Sequence, residues 1–141
     1  MDQRLAATSN VGAVVEFGLV RRTLLARLAA GQIGVEDVCD AHPELVRAAR
    51  NVGRRSGERC PVCGDAELVE VTYVFGARLP AGGTCPTTRV ELAKLERRAE
   101  PVTCYAVEVC VACSFHHLAR KWHAGGRTAR RGVPVASKAG R

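Results

Sequence analysis

Aromatic side chains are scarce, with one Trp, two Tyr and three Phe in 141 residues. A chain of this length supports one ordinary domain, or a small domain with appendages, and few large rings leave part of it in need of another source of stability. Lysine is nearly missing as well, 3 residues against 18 arginines. Together with the abundant Ala, Val and Gly, that imbalance points to a coding bias before it points to a function.

Long apolar runs are also lacking. Met1 to Asn10 is polar, and the apolar stretch that follows is interrupted by Glu16 and Arg21-Arg22, a pattern that fits neither a signal-peptide core nor a membrane span. The expectation is a cytoplasmic chain whose thiols stay reduced. No glycine-rich phosphate loop, nucleophile elbow or paired-carboxylate signature occurs, so the expectation is also a protein that is not an enzyme and takes no small-molecule substrate.

Acidic residues are absent from 120–141, which hold seven basic ones, Arg120, Lys121, Arg127, Arg130, Arg131, Lys138 and Arg141. The 14 other basic residues cancel the 14 acids, so the net charge of +7 belongs to this segment. From Gly125 onward no hydrophobic period survives. A disordered basic tail at 125–141 is predicted, with those seven side chains as candidate contacts to nucleic-acid phosphate. A solubilising terminus without a partner is the plainer alternative.

What is present in quantity is cysteine, seven residues. Four form two couplets, Cys60-Pro61-Val62-Cys63-Gly64 and Cys110-Val111-Ala112-Cys113-Ser114. Two such turns facing each other supply four soft thiolates in the tetrahedral arrangement that Zn(II) prefers. Cys60, Cys63, Cys110 and Cys113 are therefore the predicted ligands of a structural Zn2+. Four thiolates close the shell, whereas a catalytic zinc keeps a position for water. A dithiol redox site at either couplet is the outside alternative, disfavoured because neither couplet opens a helix.

Three histidines follow the second couplet, His116, His117 and His123. His116 or His117 is a substitute ligand only if a couplet cysteine drops out. Cys39 falls on an apolar position and is predicted as a small core residue, Cys104 lies within a strand and is expected to be packed, and Cys85, before Pro86 in the insert, is expected to be exposed.

Around the couplets the chain alternates helix and strand signals. Val11, Val14, Val15, Leu19, Leu24, Leu25 and Leu28 recur at helical spacing over 10–30, with Ser9 or Asn10 to cap the start and Gly31 to end it. Gly34 to Asp40 suggests one or two helical turns, and Pro43 and Glu44 open a third helix that Gly53 stops. Three short helices resemble the layout of helix-turn-helix DNA readers, but architecture alone assigns no function. Arg54, Arg55 and Arg59 are expected in a basic linker. Leu68 to Phe75, Val102 to Val109 and Phe115 to His123 are β-branched or alternating strands, and Thr87 or Thr88 caps a short helix between the first two.

The predicted architecture is α+β: a small N-terminal helical bundle (1–57), then a zinc ribbon of antiparallel strands (58–124) with a short helical insert (76–101), then the disordered basic tail.

The run Arg21-Arg22-Thr23-Leu24-Leu25, the stretch Gly34 to Pro43, Cys60-Pro61-Val62-Cys63, Val74-Phe75-Gly76, and Val109 to Cys113 with His117-Leu118 together resemble an uncharacterised actinobacterial zinc-ribbon family classed as a domain of unknown function. The resemblance spans residues 17–122 and implies no activity. Ser114 departs from it, standing where such ribbons often place glycine after the second couplet. The functional expectation is a zinc-ribbon accessory protein docked on a large protein or nucleoprotein complex of transcription or translation, its tail on RNA or DNA. The alternative is a protein-only adaptor or regulator.

Overall fold

In the computed structural model, residues 11–126 are described. A strand β1 (Val14–Glu16) leads into helix α1 (Gly18–Ala29), a 3-10 turn (Val35–Asp37) and helix α2 (Pro43–Val52). Strands β2 (Arg54–Arg59) and β3 (Glu67–Gly76), helix α3 (Arg89–Glu96), and strands β4 (Pro101–Val109) and β5 (His116–Gly125) complete the order. The five strands form one mostly antiparallel sheet in the order β1-β5-β4-β3-β2.

Among the described residues the predicted N-terminal helical bundle is not formed. Val14 and Val15 lie in a strand, not a helix, bracketed by hydrogen bonds from Gly12 N to His123 O (2.7 Å) and from Phe17 N to Ala119 O (3.0 Å). Val11, Val14 and Val15 fit helical spacing, but β-branched residues also suit a pleated edge, and the pairing strand lies about a hundred residues away. Helix α1 contains no fully buried residue. Its Leu24, Leu25 and Leu28 pack against the cluster of Val38, Cys60, Leu68, Cys110 and Phe115, so they serve the cysteine core and not a helix bundle. The basic linker is likewise a strand, exposed at all six positions and antiparallel to β3 in the register Arg54 with Glu70 and Arg59 with Glu67. A short, bulged, charge-rich strand is how a sheet edge resists pairing with another chain.

The remaining elements follow their local signals. Helix α2 starts with Pro43 at its first turn, and the His42 Nδ1 accepts the Glu44 amide at 3.0 Å. It ends at Gly53, where a Cβ would sit 2.1 Å from Val69 Cγ1 and 2.6 Å from the Ala49 carbonyl, so only glycine admits this approach. In α3 the Thr88 hydroxyl accepts the Glu91 amide (3.1 Å), while the Glu91 carboxylate accepts the Thr87 amide and hydroxyl, a reciprocal cap of the kind that adds about 1 kcal/mol.

The chain divides into two compact units. One contains residues 16–72 and 105–120; its centre is the cysteine cluster, in which Leu68 and Phe115 are fully buried, each contributing on the order of 1.5–3 kcal/mol. The other includes residues 11–15, 73–104 and 121–126 among those described. Val74, Val102, Cys104, Trp122 and Ala124 are its buried apolar residues, and the Trp122 indole N–H donates to the Glu96 carboxylate at 2.8 Å. That bond gives the largest ring in the chain the partner its polar edge requires.

Candidate metal centre

Each couplet is a tight turn at a strand boundary, and the two turns are built alike. In the first, the Gly64 amide donates to Cys60 O (3.0 Å) and the Cys60 amide to Ala66 O (2.8 Å). In the second, the Ser114 amide donates to Cys110 O (2.9 Å) and the Cys110 amide to Phe115 O (2.8 Å). Both require a left-handed residue just after the couplet, and Gly64 (φ 69°) and Ser114 (φ 70°) supply it. The turn expected of a glycine is thus kept with a serine.

These turns aim four thiols at one point. The Sγ atoms of Cys60, Cys63, Cys110 and Cys113 all lie within 4.8 Å of one another, the group among the described residues that could hold a metal ion. Across the two turns, Cys63 and Cys110 are 3.7 Å apart and Cys60 and Cys113 are 3.8 Å apart. Sulfurs bound about 2.3 Å from a central ion define a tetrahedron with edges of about 3.8 Å, so the cross-turn pairs already have the dimension of a four-thiolate shell.

The surroundings favour sulfur as an anion once a cation is present. Backbone amides of Val62 and Asp65 point at Cys60 and Cys63 Sγ (3.4 and 3.3 Å), and that of Cys113 points at Cys110 Sγ (3.4 Å). Burial pushes the thiols of Cys110 and Cys113 up. At Cys60 burial acts in the same sense but is outweighed by amide donors from Cys63 and Val62 and by neighbouring thiols, so this thiol falls below the usual range. Packed together, four such sulfurs cannot all ionise without a positive charge among them.

No histidine joins the group. His116 Nε2 pairs with the Asp40 carboxylate at 3.0 Å, and His123 Nδ1 with the Thr103 hydroxyl at 3.2 Å. The buried His117 donates from Nε2 to the Phe17 carbonyl at 3.3 Å, and burial holds its pKa below the ordinary value.

The extra cysteines differ from one another. Cys104 is fully buried, and burial, with the charge of Glu96, pushes its thiol up to about 12. Cys85 is half-buried and its thiol is also raised by burial. Cys39 belongs to the centre: its Sγ lies 3.5 Å from that of Cys113, closer than either cross-turn pair. Nothing in its spacing ties Cys39 to a couplet 74 positions away, so an apolar-core position is all that its local sequence predicts.

Of the seven predicted basic contacts, two, Arg120 and Lys121, are among the described residues. Arg120 is held by the Glu70 carboxylate at 2.8 Å, and Lys121 is half-buried. Arg127, Arg130, Arg131, Lys138 and Arg141, and the predicted tail they belong to, lie outside the described residues.

No solved structure matches this chain. An uncharacterised protein of Mycobacterium bovis and one of Mycobacterium tuberculosis are each 37% identical to it over 137 residues, covering 88% of this chain and 100% of theirs. Residues 9–137 match the model of the family described as a family of unknown function, DUF5318. Coverage of nearly the whole chain by that model, and of the whole of both relatives, leads to one assignment: the chain belongs to the DUF5318 family.

Proposed function

We propose that this is a non-enzymatic, cytoplasmic zinc protein in which Cys60, Cys63, Cys110 and Cys113 hold a structural Zn2+. The observation that carries the proposal is the pair of like-built couplet turns with cross-turn sulfur separations of 3.7 and 3.8 Å. The all-thiolate donor set selects a thiophilic ion such as Zn2+ over Mg2+, Ca2+ or Mn2+, and a closed four-sulfur shell leaves no coordination position for water or substrate. The ion clasps β3, β4 and β5 at their ends and offsets the shortage of aromatic core. Its work is then done by surfaces: an accessory role on a nucleoprotein machine, with the basic residues beyond 126 on nucleic-acid phosphate.

The test is metal analysis with thiol titration. The purified protein is expected to contain one zinc per chain, and four thiols are expected to become reactive together only when a chelator is added. Cys60→Ser and Cys110→Ser should both lose the metal and unfold at much lower temperature, since structural zinc in small peptide domains contributes about 10–16 kcal/mol of apparent binding energy. Immediate reaction of the couplet thiols without chelator, and no bound metal, would overturn the proposal.

A second reading, a protein-only adaptor, has an observation of its own. On α1, Leu19 and Val20 are 68% and 58% exposed, and with Thr23, Leu24 and Arg27 they line an open groove of about 390 Å³. Apolar residues presented this way mark partner surfaces. Partners that stay bound after nuclease treatment would favour this reading over the first.

A further inference from the structure

Cys39 is the thiol at the metal centre that the four-sulfur shell does not use. Its position is fixed from both sides: its amide donates to Val35 O at 2.9 Å in the 3-10 turn, and two residues on, the Ala41 amide donates to Ser114 O at 3.0 Å, beside Cys113. This segment is therefore fastened to the second couplet. Cys60 and Cys110 are buried, whereas Cys39 and Cys113 are partly exposed, so a small oxidant reaches Cys113 more readily than the buried pair. Cys63 is also partly exposed, but its 3.7 Å neighbour is Cys110, itself in the shell. Cys113 has beside it, at 3.5 Å, the Cys39 sulfur, which is not one of the four.

We propose that Cys39 is the resolving thiol of a peroxide-driven switch, closing a Cys39–Cys113 disulfide that opens the metal shell. The step balances with a hydroperoxide as oxidant. The Cys113 thiolate attacks the peroxide oxygen, an S–O bond forms, the O–O bond breaks and hydroxide leaves, giving a sulfenic acid. The Cys39 sulfur then attacks the Cys113 sulfur; the S–S bond forms, the S–O bond breaks, and the departing hydroxide takes the Cys39 proton as water. One thiolate and one thiol lose two electrons between them, and hydrogen peroxide ends as one water and one hydroxide, which takes a solvent proton to become the second water. With Cys113 in the disulfide, Cys60, Cys63 and Cys110 alone would remain to hold the ion, and competing ligands would remove it more readily. The proposal rests on the zinc-site reading for the ion but not for the disulfide.

The experiment treats the metal-loaded full chain with stoichiometric hydrogen peroxide in the presence of a chromogenic chelator, followed by mass spectrometry of non-reduced peptides. Wild type, Cys39→Ser and Cys39→Ala are compared, with circular dichroism to show that each is folded. The wild type is expected to release one ion per disulfide and to yield a peptide linking Cys39 to Cys113. Both variants should start with full metal content and release it about tenfold more slowly, because the sulfenic acid lacks its resolving partner. Equal release rates in the variants, or peptides linked only within a couplet, would sink the proposal. If the protein carries no metal as purified, the zinc reading fails on its own, and the disulfide map of that same protein still decides whether Cys39 pairs with Cys113.

Discussion

Ser114 shows how strictly the couplet turn sets its backbone. It holds φ 70° where its counterpart Gly64 holds 69°, a conformation that costs a residue with a Cβ about 1 kcal/mol or more relative to glycine. Ser114→Gly should therefore stabilise the metal-bound protein by about 0.5–1 kcal/mol, reduced from the full strain by the freedom glycine gains when unfolded. The converse change isolates the strain, because nothing lies within 4 Å of a Cβ built on Gly64. Gly64→Ala should cost about 1 kcal/mol without any steric clash. Urea unfolding of both variants at saturating zinc measures the pair; a neutral Ser114→Gly would show that the serine is not strained. The same scale explains what spacing could reveal of the site. The four couplet cysteines are legible because two residues between paired thiols are a local constraint, whereas Cys39 comes to Cys113 through tertiary packing alone.

At the scale of elements, legibility follows the range of the deciding interaction. Helix α2, with Pro43 at its start and Gly53 at its end, and helix α3, with Thr88 as cap, are written in adjacent residues, and the β-branched runs of β3 and β4 are equally local. Strands β1 and β2 are not. Val14–Glu16 becomes a strand by pairing with β5, and Arg54–Arg59, with its glycine and four charges, becomes one by pairing with β3; both lie at sheet edges, where sequence preference is weakest. The joint between β5 and α1 carries a pH prediction. His117 is buried and donates to the Phe17 carbonyl just before α1, and burial depresses its pKa below 6.5. Below that value the unfolded chain takes up a proton that the folded chain resists, so this residue's contribution is full above about pH 6.5 and declines as pH falls. His117→Gln should flatten the fall in stability between pH 6.5 and 5 relative to wild type. Because acid also protonates zinc thiolates in both proteins, the difference between their melting curves is the informative quantity.

At the scale of the whole molecule, the charge that the sequence concentrates after residue 119 divides in two. Arg120 is already satisfied by Glu70, which leaves it little capacity to contact phosphate. Ala124, Gly125 and Gly126 are buried, and the Gly126 amide donates to Arg98 O at 2.9 Å, so a deletion meant to test the basic segment has to begin at Arg127. Removing 127–141 takes away five positive charges and none of the residues of the described strands. If these residues bind single-stranded nucleic acid as proposed, the full chain should lose affinity with rising salt at a logarithmic slope of up to about −3.5, which is 0.7 for each of five phosphate contacts, and the truncated chain should bind weakly with a slope near zero. Its melting temperature should match that of the full chain, separating a lost contact from a lost fold. Fluorescence anisotropy with labelled RNA and DNA oligonucleotides over a range of salt reads both quantities. Unchanged affinity and slope in the truncated chain would remove the basic segment from the function and shift the weight to Leu19 and Val20 on α1, where a protein partner is the remaining candidate.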